Sequence, residues 1–516
     1  MRVTRDRSRQ PFSPLSQPLL GIVQAMSSHT NLSLSPRSSE LQAHQDENSE
    51  TKRPFPVNSL PMELLAQVLV FWSYLDDDAP WMASIVCHHW RNVALTTNRV
   101  WGKITLKLAP EEEIETAWAD EETLAQLTSP RGKRRPHALW FQRAHDAELS
   151  LHIIALSSYP RLNLELYDIV TGLQKQAEDI RRLTLSVESN HLADFALSIL
   201  FEAPNPNRKL DHLEIEVSEK RVPKEFRIPR FHEDAVLDQF WVYSPPAKVL
   251  VFRGGLPRQR SSGVSGQTHT LILENVPVSA RRFISDMAGF PSLRSLTLDG
   301  VTELNLISGL PHQSVNLRHL TNLSICVDTS YCSTVLKCLT APRLESLSIR
   351  NCGLQELRLL WGPQENNTWF DCMAPFGEAL EAFVRGSTTL RSLKLDRCPI
   401  DDQHLLRVLQ AAPELQNLSM IFLLIGFPTM RGLLPPISRN CGAGEVPCPQ
   451  LQHLTIENCS SIKKNDLLNL LKARCARRSD CAPITELTTF GCKDLVDLES
   501  ELITHVGPRR PHVIVL

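Results

Sequence analysis

The sequence predicts an α/β protein: a small helical module followed by an irregular solenoid of short parallel strands alternating with helices. Two observations carry that prediction. A triplet of the form L-x-x-L-x-L recurs along most of the 516-residue chain, and residues Leu60 to Trp101 concentrate Leu, Val, Trp and Cys far above their surroundings. A third observation sets the class. With 42% hydrophobic and 22% charged residues and a formal net charge of −2, the composition is that of a soluble globular chain of about two to four domains. Near-neutral charge argues against a body devoted to nucleic acid or anionic membrane.

The first 55 residues are rich in Ser, Pro, Arg, Gln and Asn without periodicity, and are expected to be disordered. The apolar patch Leu19–Met26 is interrupted by Gly21 and Gln24 and lacks a small-residue cleavage site. Elsewhere the longest apolar run, around Leu418–Phe427, is about half of what spans a bilayer. These features predict an intracellular protein of cytoplasm, nucleus or both, without a membrane or nucleic-acid partner.

The stretch from Leu60 begins with Pro61, placed where a first-turn proline starts a helix. Leu64, Leu65, Val68, Leu69 and Trp72 follow at helical spacing and give one broad apolar face. Asp76, Asp77, Asp78 and Pro80 end that helix and form an acidic entry to the next. Trp81, Ile85, Val86, Trp90, Val93 and Ala94 then read as one or two further short helices. A segment this short does not bury so much apolar surface unaided, so the surplus predicts a docking face.

The same stretch resembles the F-box, the three-helix module that docks on the Skp-type adaptor of cullin-RING ubiquitin ligases. The likeness rests on Leu60-Pro61, Glu63-Leu64-Leu65, Val68, Val86-Cys87, Trp90-Arg91, Ala94, Trp101, Ile104 and Leu106. The pattern Val-Cys-x-x-Trp-Arg-x-x-Ala is similar to F-box proteins of mushroom-forming fungi. His88-His89 stand where the family often has a basic pair, and Asn98-Arg99-Val100 lacks the usual proline before Trp101. The resemblance implies an F-box over residues 56–108. It also implies an adaptor-binding set of Leu60, Pro61, Leu64, Leu65, Val68, Val86 and Trp90, with the last five forming the buried centre of the interface.

Residues 109–136 change character, with acidic Glu111–Glu122 followed by basic Arg131, Lys133, Arg134 and Arg135. They read as a solvated charged insert; a nuclear import signal is the sharper alternative, which four basic residues alone do not establish.

Residues 137–516 are expected to form the repeat region, clearest from 290. The triplet closes with Cys in Leu344-Leu347-Ile349-Cys352, Leu390-Leu393-Leu395-Cys398 and Leu451-Leu454-Ile456-Cys459, and Ile484-Leu487-Thr489-Cys492 carries Thr in the third place. Shorter copies start at Ile180, Leu210, Leu293, Leu320 and Leu415, while Val249–Phe252 and Leu271–Val276 look degenerate. The pattern resembles the leucine-rich repeat, with starts about 25 residues apart where it is most regular. In such a unit the L-x-L part is a strand whose alternate residues point inward, and the following Cys bonds backbone in the descending turn. Segments such as Asp402–Leu409 and Lys464–Lys472 supply the return helices. One unit cannot bury its own apolar face, so units stack.

Catalytic chemistry is sparse. No phosphate loop, nucleophile elbow, H-E-x-x-H or dinucleotide fingerprint occurs. Asp401, Asp402 and His404 sit where a repeat helix begins and read as helix-capping residues. The 13 cysteines show no zinc spacing and read as reduced, packed thiols. The chain is therefore expected to bind no cofactor or metal and to catalyse nothing. The combined reading is a substrate-recognition subunit of an SCF-type ligase. It would join a Skp-type adaptor, and through it a cullin, to a protein client on the repeats. A non-ligase interaction scaffold built from the same parts is the alternative.

Overall fold

The structure is a computed structural model. It describes residues 60–107, 137–155, 178–187, 190–201, 210–218, 246–255, 264–301, 314–351, 367–435, 446–476, 481–492 and 512–515, broken at positions 146, 279 and 460, with isolated residues at 167–173 and 495. The expectations for residues 1–55 and 109–136, and for Cys352, lie outside the described residues. Those that are described fall into two compact units. One comprises 60–105 and 137–151; the other comprises 106–107 and the residues from 152 onward.

The first unit holds α1 (Met62–Leu75), α2 (Ala79–Val86), α3 (His88–Thr96), a 3₁₀ turn (Asn98–Trp101), most of β1 (Lys103–Lys107), α4 (His137–Arg143) and the start of β2 (Leu149–Ala155). Pro61 lies one residue before α1, at its cap, where its carbonyl accepts the Leu65 N–H at 3.0 Å. Asp76 ends α1 in extended conformation, and its carboxylate accepts the Asp78 N–H at 2.9 Å, turning the chain into α2. Cys87 caps α3, its sulfur taking the Trp90 N–H at 3.5 Å. Such a capping contact satisfies one of the orphan donors of a helix start.

Aromatic packing closes this unit. Trp81, Trp101 and Trp140 meet edge to face with ring centres 5.1, 5.8 and 6.3 Å apart. Each such pair adds about 0.5–1.5 kcal/mol beyond its buried area. Trp101 Nε1 donates to the Ala94 carbonyl at 2.7 Å, and Trp140 Nε1 to the Trp101 carbonyl at 3.0 Å, so burial strands neither indole. Arg143 lies over Trp101 at 4.5 Å and over Trp81 at 5.1 Å. Burial lowers its pKa. Trp140 and Arg143 both come from α4, which opens the region that the sequence assigns to repeats but packs with the helical unit.

The second unit is the solenoid. Its strands are β3 (Ile180–Val187), β4 (Leu210–Val217), β5 (Ala247–Arg253), β6 (Thr270–Glu274), β7 (Ser295–Asp299), β9 (Asn322–Val327), β11 (Ser346–Asn351), β12 (Ser392–Asp396), β13 (Asn417–Ile421), β14 (His453–Glu457), β15 (Glu486–Phe490) and β16 (His512–Val515). Each pairs in parallel with the next along the sheet. A separate parallel pair joins β8 (Val315–Asn316) to β10 (Leu339–Thr340). Between strands run α5 (Asn190–Leu200), α6 (Ala280–Met287), α7 (Thr329–Cys338), α8 (Asn367–Arg385), α9 (Asp402–Gln410), α10 (Phe427–Gly432) and α11 (Lys464–Cys475).

The register explains the triplet. Leu296, Leu323, Leu347, Leu393, Leu418, Leu454 and Leu487 stand opposite one another in one ladder. Leu298, Ile325, Ile349, Leu395, Met420, Ile456 and Thr489 form a second ladder two residues on. All of these side chains are buried, because residues two apart on a strand share a face. The segments that look degenerate in sequence, β5 and β6, are full members: Leu250 pairs with Leu271, and Phe252 with Leu273.

The closing cysteines reach back one repeat. Cys398 Sγ donates to the Ile349 carbonyl at 3.6 Å, Cys459 to Met420 at 3.5 Å and Cys492 to Ile456 at 3.8 Å. The three acceptors occupy equivalent register positions on β11, β13 and β14. Burial pushes these thiols up, Cys459 to about 11.

Seven strands, β5 to β7 and β12 to β15, end in a left-handed corner. Gly254, Asn275, Gly300, Arg397, Phe422, Asn458 and Gly491 all have φ between +50° and +76°. The N–H of every corner but the last donates to a carbonyl at or next to the end of the next strand, as Asn275 does to Asp299 at 2.7 Å and Asn458 to Phe490 at 2.8 Å. Corners stack so closely that a Cβ on Gly300 would meet the Asn275 amide, and one on Gly491 the Asn458 amide.

A buried arginine locks the C-terminal repeats. Arg474, 1% exposed on α11, donates to the carbonyls of Leu433, Pro447 and Cys448 at 3.0–3.2 Å. It holds together the two ends of the segment between α10 and β14 with no carboxylate partner among the described residues, and desolvation lowers its pKa.

Candidate functional site

The seven residues predicted for adaptor binding divide into two sets. Leu65, Val68 and Trp90 are 0%, 7% and 3% exposed, within the core of the helical unit. Trp90 also meets Trp72 edge to face at 6.5 Å. These three shape the module and are not available for contact as single side chains. Leu64, Pro61 and Val86 are exposed, and Leu60 is half-buried. The single broad apolar face expected for the first helix is therefore two faces, because Leu64 points away from the side on which Leu65, Val68 and Leu69 pack.

The exposed set is larger than the sequence reading named. Along α1, Leu64 (48% exposed) is followed by half-buried Phe71 and by exposed Tyr74 and Leu75 (56% and 53%). Steps of seven, three and four residues put these four on one stripe. Ile85 and Val86, at the end of α2, are 65% and 53% exposed. Phe71, Tyr74, Leu75 and Ile85 were the residues missed. The step from Leu64 to Phe71 and on to Tyr74 was the available signal, masked by the stronger inward set. His88 is exposed and His89 half-buried.

In the second unit the outward strand positions line the open face of the sheet. Toward its start, Ser186 bridges His152 Nε2 and Glu216 at 3.0 Å each, and Arg253 binds Glu274 at 2.6 Å and also Glu214. The His212 hydrogen bond, helped by the Arg253 charge, holds the Glu214 carboxyl below the usual range against desolvation. From β7 onward the central position of that face carries small uncharged residues: Thr297, Ser324 and Ser348, then Ser419, Thr455 and Thr488 beyond Lys394.

Asp401 takes the capping role expected of it, while Asp402 reaches a different helix from the one whose start it occupies and His404 is a partner of Asp401. Asp401 accepts the His404 N–H at 2.7 Å and its ring Nδ1 at 2.9 Å. Burial would raise the Asp401 carboxyl, but the His404 bonds leave it lowered. Asp402 caps the next helix, accepting the N–H groups of Gly426 and Thr429 at 3.0 and 3.1 Å. Among the described residues no group of three or more His, Cys, Asp or Glu side chains is arranged to hold a metal ion, and no helix is long and apolar enough to cross a membrane.

No protein-family model matches the chain. No curated protein matches it in sequence. Among solved structures, the crystal structure of a Rad7 and Elc1 complex in yeast aligns at 13% identity, covering 88% of this chain and 98% of that one, with a TM-score of 0.30. A score that low carries no argument about function.

Proposed function

We propose that the protein is a substrate-recognition subunit of an SCF-type ubiquitin ligase, with a Skp-type adaptor docking on the helical unit and a protein client held by the repeats. One observation carries the reading. A small unit with a densely closed core nevertheless exposes Leu64, Tyr74 and Leu75 along the first helix and Ile85 and Val86 at the end of the second. Apolar patches rimmed by polar residues mark interaction sites, and a few such anchors supply most of an interface's energy. The F-box resemblance gives the occupant its chemistry.

On this reading Leu64, Val86 and the stripe residues touch the adaptor, while Leu65, Val68 and Trp90 hold the helices at the angle that presents them. Leu60 and Pro61 fix the entry of α1. A cullin joins through the adaptor, and the assembly works in cytoplasm, nucleus or both. The chain contributes proximity: a client held on the repeats meets the ubiquitin-charged enzyme as a tethered partner.

The test is co-purification with a Skp-type adaptor. Leu64→Asp introduces a charge into the stripe without touching the core, so adaptor capture should fall at least tenfold while the melting curve stays put. Unchanged capture by this variant would sink the docking assignment. Trp90→Ala also loses capture, but by unfolding the module, which circular dichroism separates from the first case. If the adaptor is captured but no cullin follows it, the scaffold reading takes over.

A further inference from the structure

The corners of the solenoid are not equivalent. Those at 254, 275, 300, 458 and 491 are Gly or Asn, the residues that tolerate left-handed backbone. Two successive corners instead carry Arg397 (φ 56°) and Phe422 (φ 50°). Bulky residues in this region are strained, and such strain persists where the side chain has a use. Here the Arg397 guanidinium lies 5.0 Å over the Phe422 ring. Its Nη1 is shielded from solvent and has no hydrogen-bond acceptor among the described residues.

The segment leaving the Phe422 corner adds exposed apolar side chains. Leu424 is 56% and Phe427 51% exposed, and Arg431 lies 5.9 Å over the Phe427 ring. Charge around them is lopsided. Arg350 and Arg397 share the single carboxylate of Asp396, at 3.4 and 3.7 Å, and Lys394 is exposed on the same strand. With Arg431 these cations outnumber Asp396 and Glu457, the latter one strand on from Ile421. Asp401 and Asp402, which also flank this segment, are committed to His404 and to Gly426 and Thr429 respectively.

We propose that the Phe422–Arg431 corner is a peptide-binding site for an extended client segment in which an apolar side chain is followed by an anionic group, a carboxylate cluster or a phosphate ester. Leu424 and Phe427 provide the apolar contact. Arg431, over the Phe427 ring and exposed, presents the planar donor fork that suits carboxylate and phosphate oxygens, and the partly exposed Arg397 adds its charge beside it. The two corners carry strain because the side chains that bind cannot be Gly or Asn. This site rests on the reading that the repeats hold a protein client, and it names that client's chemistry.

The experiment measures fluorescence anisotropy of labelled short peptides titrated with the full chain. The probes are pools with Leu, Ile, Phe or Trp at one anchor position, followed by Glu residues, by phosphoserine, or by Lys, and a Glu pool without the anchor. The Glu pool, the phosphoserine pool or both should bind saturably, at least roughly tenfold tighter than the Lys and anchorless pools; which of the two prevails identifies the anion. Arg397→Asn, and the pair Leu424→Ser with Phe427→Ser, should each weaken binding at least roughly tenfold. Arg397→Asn copies the sister corners, so its melting temperature should equal or exceed that of the parent chain, which separates lost binding from lost fold. The site is overturned if neither anionic pool binds, if the Lys pool binds equally well, or if the variants bind like the parent. Adaptor capture is scored on the same proteins. If it persists while the peptides fail, only this site is wrong. Its absence in the parent chain would remove the ligase reading and leave a peptide-binding result standing.

Discussion

The helical unit and the solenoid bury apolar side chains by opposite routes. In the first, Trp81, Trp101 and Trp140 come from separate elements, and Trp140 crosses a long charged insert to reach the others. In the second, each leucine meets its counterpart in the neighbouring repeat, and no strand pairs beyond its immediate neighbours. The difference concerns cooperativity. A core assembled from distant pieces fails as a whole when one piece is removed, whereas stacked repeats share damage mainly with adjacent units. It also concerns surface: the module keeps exposed apolar side chains along α1 and at the end of α2, while the solenoid exposes a long polar face with apolar Leu424 and Phe427 at one of its corners.

The contrast is most sharply tested by Trp101→Ala, which should cost about 3–5 kcal/mol and melt the helical unit. Amide exchange in β9 through β15 should stay as slow as in the parent chain. Equal loss of protection in both units would break the comparison. Arg474→Met comes next, at about 3 kcal/mol, because carbonyls of Leu433, Pro447 and Cys448 lose a buried charged donor. Faster exchange should be confined to α10, β14 and α11 and fade toward β9; uniform acceleration across the solenoid would show that its repeats are not nearest-neighbour coupled.

The smallest effect is a pH dependence that belongs to the solenoid. Burial raises the thiols of Cys448, to about 12, and Cys459, to about 11. In the unfolded chain a thiol ionises near pH 8.5. Above that pH the unfolded state releases a proton that the folded state keeps, so stability is full below about pH 8.5 and declines as pH rises toward 11. The loss approaches about 1 kcal/mol per pH unit per thiol. Urea midpoints followed between pH 8 and 10.5 should fall for the parent chain and fall less steeply in Cys448→Ala with Cys459→Ala, the other buried thiols, Cys398 and Cys492 among them, supplying the remainder. An equally steep fall in the double variant would assign the dependence elsewhere.

Much of the solenoid was legible because strand alternation ties sequence spacing to side-chain direction. Leu393 and Leu395 had to share a face whichever repeat packed beside them, and Cys398, three residues beyond Leu395, was correctly expected to bond backbone in the turn. Val251 and Ile272 hid β5 and β6, since apolar residues at the outward positions blur the alternation. Other features left no local trace. Arg474 looks like any basic residue near a helix end, and only the close approach of residues 433 and 447–448 makes it a clamp. Of the candidate docking residues, Leu64 and Val86 are on the surface, whereas Leu65, Val68 and Trp90 are inside, a division that helical spacing alone does not make.

By itself, the sequence determined which residues face inward along each strand, where the repeats start, and that residues 60–101 hold more apolar area than a module of that size encloses. These follow from fixed periods, two for a strand and 3.6 for a helix, that hold whatever surrounds the element. Only the tertiary structure decided which helical residues are interior and which remain outside, and that α4 completes the aromatic core. It also showed that Arg397 and Phe422 occupy left-handed corners made elsewhere by Gly and Asn. A period gives a residue its direction, but what lies in that direction is set by elements distant in the chain.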